Sequence, residues 1–304
     1  CRPVSPKRAY RLGLDHLTGD ELAGWSRTIE LRKHGVGESV VCTLRYLTSA
    51  DVPAMMELQQ HVKEWLSNVD LFRPVSEERH RAYLANRGSA AGAFHDGKLV
   101  AYGASQYAVP PEENQGQAIG VDVDALGLVC QLEGTVVKPD FRGFQLARLL
   151  TEMRLVRAER HGYPIVVATI SPFNGPSLGS FVPNGFLVKG LREGVGSLLR
   201  YYVSLDLRYD AVPLDDTVIE VATHELVVQR QLFATGWWGF QPQIGERQLS
   251  MRYARFRLGE LASGAGHGEA SSGRGGDVAA MVARREPEAS YPRREDGLAM
   301  TGKA

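Results

Sequence analysis

From residue 43 onward, apolar positions change spacing from two to about 3.6 and back, as in a chain that alternates strand and helix. Residues 43–47 ("TLRYL") predict a strand. A Ser/Asp start then leads into a helix with Val52, Met55, Met56 and Leu58 on helical spacing. Ser76, with Glu77 and Glu78 in the first turn, predicts a second helix over 76–86. Two apolar runs flank His95-Asp96-Gly97, a hairpin signal. A polar loop over 109–120 gives way to a strand over 126–138, a helix from about 143 to 161 and an apolar strand over 164–171. A short helix after Asn174 and strands near 185–190 and 198–207 complete the order β-α-α-β-β-β-α-β-α-β. That order predicts a mixed α/β sheet with one parallel crossover through the 143–161 helix.

The flanks read differently. Residues 1–42 mix Pro, Gly and charge without sustained period, which predicts a poorly ordered leader with a short helix near 19–26. Residues 208–260 predict an extension: a helix over 223–235, a turn at Gly236-Trp237-Trp238-Gly239 and a strand over 247–257. Trp237, Trp238 and Phe240 are candidates to close an acceptor pocket, to plug the packing or to form a homodimer contact. Residues 261–304, rich in Gly, Ser, Ala and charge, bury too little apolar surface to offset their ordering entropy and predict a disordered tail.

Composition narrows the function classes. The 304 residues carry 35 Lys+Arg and 35 Asp+Glu, so formal net charge is zero and polyanion wrapping is disfavoured; no nucleic-acid partner is expected. Three scattered cysteines (Cys1, Cys42, Cys130) suit neither a disulfide framework nor a zinc cluster, so a cytoplasmic setting and no metal are expected. No apolar run approaches the ~20 residues of a membrane span, and no membrane partner is expected. The chain opens on Cys1 rather than Met, so an incomplete N-terminus is expected. No Walker A or G-x-G-x-x-G run occurs, which disfavours the common nucleotide-binding domains.

One junction carries chemistry. "VVKPDFRGFQLARLL" (136–150) runs from a β-branched pair through an Arg-Gly turn into a helix with Leu146, Leu149 and Leu150 on one face. The first amides of a helix lack internal partners and sit at the positive end of its dipole, a ready anion site. Arg142 at a helix start is unfavourable as a plain surface charge, which favours a ligand role. Downstream, "SPFNGPSLGSFVPNGF" (171–186) places Asn174 eleven residues before Gly185-Phe186.

These two motifs, in this element order, resemble the GNAT superfamily of acetyl-CoA-dependent N-acetyltransferases, and specifically bacterial members with a C-terminal extension. Arg142-Gly143-Phe144-Gln145-Leu146-Ala147 matches the family's Q/R-x-x-G-x-G/A at its ends, with Gln145 in place of the middle glycine. The second segment matches N-x(6)-Y-x(3)-G-F, with Phe181 in place of the tyrosine that protonates the leaving thiolate in many members. The resemblance covers roughly residues 43–207. It implies a mixed, mostly antiparallel sheet flanked by helices and acetyl-CoA as co-substrate. The acceptor would be a primary amine on a small molecule or protein. It further implies a phosphate cradle at the amides of Gly143, Phe144, Gln145, Leu146, Ala147 and Arg148, and Asn174 against the pantetheine arm. The strand edge Thr135, Val136 and Val137 would pair with pantetheine and polarise the thioester.

Glu133 is the candidate base. Strand parity puts it on one face with Thr135 and Val137, and a carboxylate in an apolar strand needs a partner or a cleft. An exposed edge-face carboxylate is the bland alternative. Asn174 also suits a turn or cap, Phe181 a core position, His161 a helix cap, His224 a solvated face and Cys130 a small buried hydrophobe. The functional alternative to an enzyme is a fold that holds coenzyme A without catalysis, as a sensor or interaction module, suggested by Gln145 and Phe181.

Overall fold

The computed structural model describes residues 12–260 apart from 15, 34, 67–71, 195–196 and 246–247. The expected tail and the first eleven residues lie outside the described residues.

Alternation of apolar and polar side chains builds one sheet. Its strands are β1 (Ser26–Arg32), β2 (Ser39–Tyr46), β3 (Gly88–His95), β4 (Lys98–Gln106), β5 (Val129–Val137), β6 (Ile165–Ile170), β7 (Leu187–Glu193) and β8 (Leu199–Asp206). Four more follow: β9 (Tyr209–Pro213), β10 (Ile219–Ala222), β11 (Trp237–Ile244) and β12 (Leu249–Glu260). The order is β1-β2-β3-β4-β5-β6-β8-β7-β11-β12-β10, with β9 on β12. Among these pairs only β5–β6 is parallel, joined by helix α4 (Leu146–Arg160) as the residue order predicts. The mixed, mostly antiparallel sheet flanked by helices that the resemblance implies is present.

Helices cover both faces and bury apolar side chains against the sheet. On one side, Leu146, Leu149, Leu150, Met153 and Val156 of α4 pack on Leu44, Tyr46, Ala91, Ala93 and Ala101. On the other, Val52, Met55, Leu58 and Val62 of α2 (Val52–Trp65) pack on Ala90, Tyr102, Ala104 and Val136. The small residues of β3 let these layers approach closely. A Cβ on Gly92 would lie 2.5 Å from the Leu47 side chain.

Two expectations are corrected. Within the expected leader the short helix near 19–26 is present as α1 (Gly19–Gly24), with a Thr18–Glu21 capping box, but residues 26–32 and 39–46 form β1 and β2 rather than a poorly ordered segment. Leu12, Leu14 and Leu22 are buried against the α4 face, and Glu152 accepts from the Leu12 amide at 2.8 Å. The pattern was missed because β1 is an edge strand with Ser26, Arg27 and Thr28 exposed in succession, which leaves no apolar period. The Trp-Trp pair, expected in a turn, opens β11, which meets β7 through Gly239 and Val188. Trp238 stacks on Phe256 with centroids 6.1 Å apart, and Phe240 meets Phe256 edge-on. The cluster sits four strands from β5, about 19 Å across a sheet.

Helix α3 (Glu77–Ala82) starts at Ser76, whose hydroxyl accepts from the Arg79 amide, and continues as a π turn over Tyr83–Arg87. Its inner face buries His80 between Tyr83 and Tyr102. The Tyr102 hydroxyl meets His80 Nε2 at 3.3 Å and Gln59 Oε1 at 3.2 Å. Gln59 in turn clamps the backbone of Val75 from both sides. Burial pushes the His80 pKa down to about 4, below the ordinary 6.5. Because the unfolded chain binds the proton more readily, His80's contribution is fully present above about pH 6.5 and fades as pH falls. About 2 kcal/mol of stability should be gone near pH 5 and about 3 kcal/mol near pH 4. His80→Phe should flatten that part of the curve in urea midpoints measured at both pH values. An unchanged slope would place the acid sensitivity elsewhere.

Candidate active site

The parallel pair is short. Val129, Cys130 and Gln131 face Ile165, Val166 and Val167, and the pairing then stops although both strands run on. Beyond Gln131, β5 keeps only β4 as a partner, while β6 continues along β8. The two strands therefore part, leaving a wedge whose β5 side has main-chain groups without a sheet partner. Thr135, Val136 and Val137 lie along it; Val136 is buried and the other two are half-buried.

At the end where the wedge opens, the chain turns through Pro139–Phe141 into α4. Gly143 has φ +86°, and Gln145 is left-handed at φ 61°, a strained setting for a residue with a Cβ. The first helical bonds run from Arg148 N and Leu149 N back to Gln145 O, at 3.0 and 3.1 Å. The amides of Gly143, Phe144, Leu146 and Ala147 precede those bonds, at the end of the helix where an anion is favoured. The Arg148 amide is already committed to the helix. The Phe144 side chain is buried with Leu146 in the core, so these two residues offer backbone alone.

Two cations flank this helix start. Arg142 lies over the Trp65 ring, 4.3 Å from its centroid. Lys33, in the connection between β1 and β2, lies over Phe144 at 5.7 Å and pairs with Glu38 at 2.9 Å. A Cβ on Gly143 would sit 3.1 Å from Lys33 Cγ. No sequence motif marks Lys33, which lies in a segment without apolar period.

At Glu133 the expected strand parity does not hold. Ser105 pairs with Leu132 and Gly103 with Thr135, so two residues of β5, Glu133 and Gly134, oppose Ala104 alone. This bulge shifts the parity of the strand. Cys130 and Leu132 pack in one cluster with Leu155 and Ala158 of α4, and Thr135 still bonds α4 through Arg154. Glu133 is turned to the other face, with Gln131, Arg79 and Arg73 as its neighbours. Arg79 donates to Tyr83 Oη at 3.0 Å and reaches Gln106 Oε1 and Glu113 Oε2 at 3.4 Å. Burial raises the Glu133 pKa above the usual carboxylate range; Arg79 and Arg73 oppose that rise, and the Glu113 carboxylate adds to it. A half-buried carboxyl so placed can take a proton from an amine.

Under the bulge lies a residue no sequence motif flagged. Arg154 is fully buried within α4. Its guanidinium donates to Leu150 O, Ala104 O, Glu133 O, Thr135 Oγ1 and Thr151 Oγ1, at 2.9 to 3.3 Å. Burial lowers its pKa to about 10, so it stays cationic at neutral pH.

Asn174 caps α5 (Gly175–Phe181), its Oδ1 accepting from Ser177 N at 3.1 Å. That is the cap reading, and it engages the side-chain oxygen. Phe181 is a core aromatic, edge-on to Phe186 at 5.1 Å. His161 caps α4, and Cys130 is buried with a raised pKa of about 12.

The chain matches no protein-family model and no curated protein sequence. Solved structures show a partial likeness to it. A putative acetyltransferase from Salmonella typhimurium, solved with acetyl-CoA, is 20% identical with TM-score 0.43 over 55% of this chain and 94% of its own. An N-acetyltransferase from Staphylococcus aureus Mu50 is 18% identical with TM-score 0.45, over 55% and 99%. The GNAT domain of an S. lividans protein is 17% identical with TM-score 0.43, over 61% and 98%. All three are named for acetyltransferases or their GNAT family. At these identities and TM-scores the likeness decides neither family nor activity for this chain.

Proposed function

We propose that the chain is a GNAT-type acyltransferase that moves an acetyl or other short acyl group from acetyl-CoA to a primary amine. The observation that carries the reading is the wedge between β5 and β6, opening at a helix N-terminus flanked by Arg142 and Lys33. A diphosphate suits the helix start, and an extended amide-bearing arm suits the unpaired edge of β5. The two free, buried cysteines described, Cys42 and Cys130, are in keeping with a reducing cytoplasm.

The reaction follows from these positions. The amine nitrogen attacks the thioester carbonyl carbon, a C–N bond forms, and the carbonyl π pair moves to oxygen. Wedge-facing main-chain groups of β5 stabilise that oxyanion. Glu133 takes the ammonium proton, directly or through water. The tetrahedral species collapses with cleavage of the C–S bond, and the thiolate departs. With Phe181 in the core, that thiolate takes its proton from water or another group. A thiol of pKa near 8.5, by analogy with free cysteine, leaves acceptably without a dedicated acid.

The same buried Phe181 favours the second reading, a module that binds coenzyme A without turnover. Thiol release from acetyl-CoA over a panel of primary amines separates the two. Amine-dependent release is expected; tight binding with no release across the panel would leave the binding module.

A further inference from the structure

Arg154 is an unusual residue for its place. A guanidinium in a helix interior, sealed from water, costs several kcal/mol to desolvate unless its donors are well matched. No carboxylate among the described residues bonds it. Its partners are three main-chain carbonyls and two threonine hydroxyls, drawn from α4, β4 and β5. An apolar side chain would pack there at lower cost, so helix–sheet packing alone does not call for arginine. The neighbouring strand is shaped around it. A Cβ on Gly103 would lie 2.7 Å from Arg154 Cζ, so β4 has room for the guanidinium only with glycine at that position.

The contacts fall on the bulge itself. Arg154 holds the carbonyl of Glu133, the first bulge residue, and the hydroxyl of Thr135, the first residue after it. It also holds the carbonyl of Ala104, the one β4 residue opposite the bulge. A planar fork of five donors satisfies all three at once, and the three rotatable donors of lysine do not.

We propose that Arg154 is a positioning residue for acyl transfer: from beneath the sheet it fixes the Glu133–Gly134–Thr135 bulge, aiming Glu133 at the acceptor and the β5 edge at the thioester. The proposal rests on the acyltransferase reading of the wedge. Its cationic charge also lies, in a low-dielectric setting, under the strand where negative charge develops, which strengthens the oxyanion site. The ionisable groups around it are Cys130 and Glu133 on β5 and Tyr107 after β4; those around Glu133 are Arg79, Arg73, Glu113, Tyr83 and Cys130.

The test compares Arg154→Met, Arg154→Lys and Gly103→Ala in the full chain. Acetyl-CoA affinity is measured by calorimetry, with kcat and KM over a range of pH. Because the cradle at α4 is untouched and only the arm's contact with β5 is disturbed, the dissociation constant should rise far less than kcat falls, and kcat should fall ~10²-fold in all three, the usual loss for a misplaced oxyanion donor. In Arg154→Met the acid limb of kcat/KM should also move to higher pH, since a cation that favours the Glu133 carboxylate is gone. In Gly103→Ala, which displaces the guanidinium but keeps its charge, the limb should move less. Unchanged kcat in a folded variant would overturn the proposal. So would a loss confined to coenzyme affinity, which would make Arg154 scaffold only. Should Arg154→Met fail to fold, Gly103→Ala decides by the same split. If the wild type binds acetyl-CoA but transfers nothing, the acyltransferase reading fails. The aim of Glu133 is then read from its carboxyl titration by NMR, and a titration unmoved by Arg154→Met would overturn the positioning role separately.

Discussion

Glu133→Gln should lower amine acetylation by ~10²–10⁴-fold at neutral pH, the usual range for a lost general base. The side chain sits on the bulge, half-buried, facing Arg79 and Arg73. In the wild type the rate should fall as pH drops through the Glu133 pKa, which burial holds above the ordinary carboxylate range despite the two arginines. In the variant the deficit should shrink toward high pH, because free amine then needs no base. Gln keeps the size and one hydrogen-bonding oxygen, so the bulge should survive, and acetyl-CoA affinity reports whether it has. Equal rates for both proteins from about pH 6 to about pH 9 would make Glu133 a bystander.

Acetyl-CoA should stabilise the chain by about 2.7 kcal/mol when present at about 100 times its dissociation constant. For a folded unit of this size that is roughly 5–10 °C in a thermal melt. Gly143→Val should abolish most of the shift. Gly143 has φ +86°, where a β-branched residue is a genuine outlier, and its Cβ would press on Lys33 Cγ at 3.1 Å. The variant must therefore distort the turn that aims the Gly143–Ala147 amides. A wild-type melt unmoved by saturating acetyl-CoA would sink the wedge reading, and a full shift in Gly143→Val would move the phosphate site away from α4.

The parts of the fold that were legible share a physical reason: their signal is local. Asp96-Gly97 between two apolar runs fixes the β3–β4 hairpin, and Asp96 and Gly97 both take positive φ. The β5–α4 junction was readable because turn, glycine and helical leucines lie within fifteen residues. What was missed depends on partners distant in sequence. β1 and β11 lack an apolar period, and each is a strand because a neighbour supplies hydrogen bonds. The bulge at Glu133 is invisible in sequence, since parity counts residues and a bulge is defined against the opposite strand. Arg154 lies in a stretch reading Met-Arg-Leu-Val-Arg, where nothing in the sequence distinguishes it from the half-buried Arg157 three residues on. Asn174 shows the converse. Its spacing to Gly185-Phe186 suggested a ligand contact, and the same residue caps a helix.

The three-rung pairing of β5 with β6 also bears on self-association. Unpaired strand edges invite added strands, and most proteins guard them at the sheet's rim. Here the outer rim, β1, exposes Arg27, Glu30 and the other polar side chains of an edge that repels a flat neighbour. The unpaired edge of β5 lies in the middle of the sheet, between β6 and α4, rather than at a border that another molecule's strand can extend. Such an edge admits a thin, flexible chain and refuses a folded one. The chain thereby keeps an open backbone edge without the aggregation hazard that such an edge carries at a border.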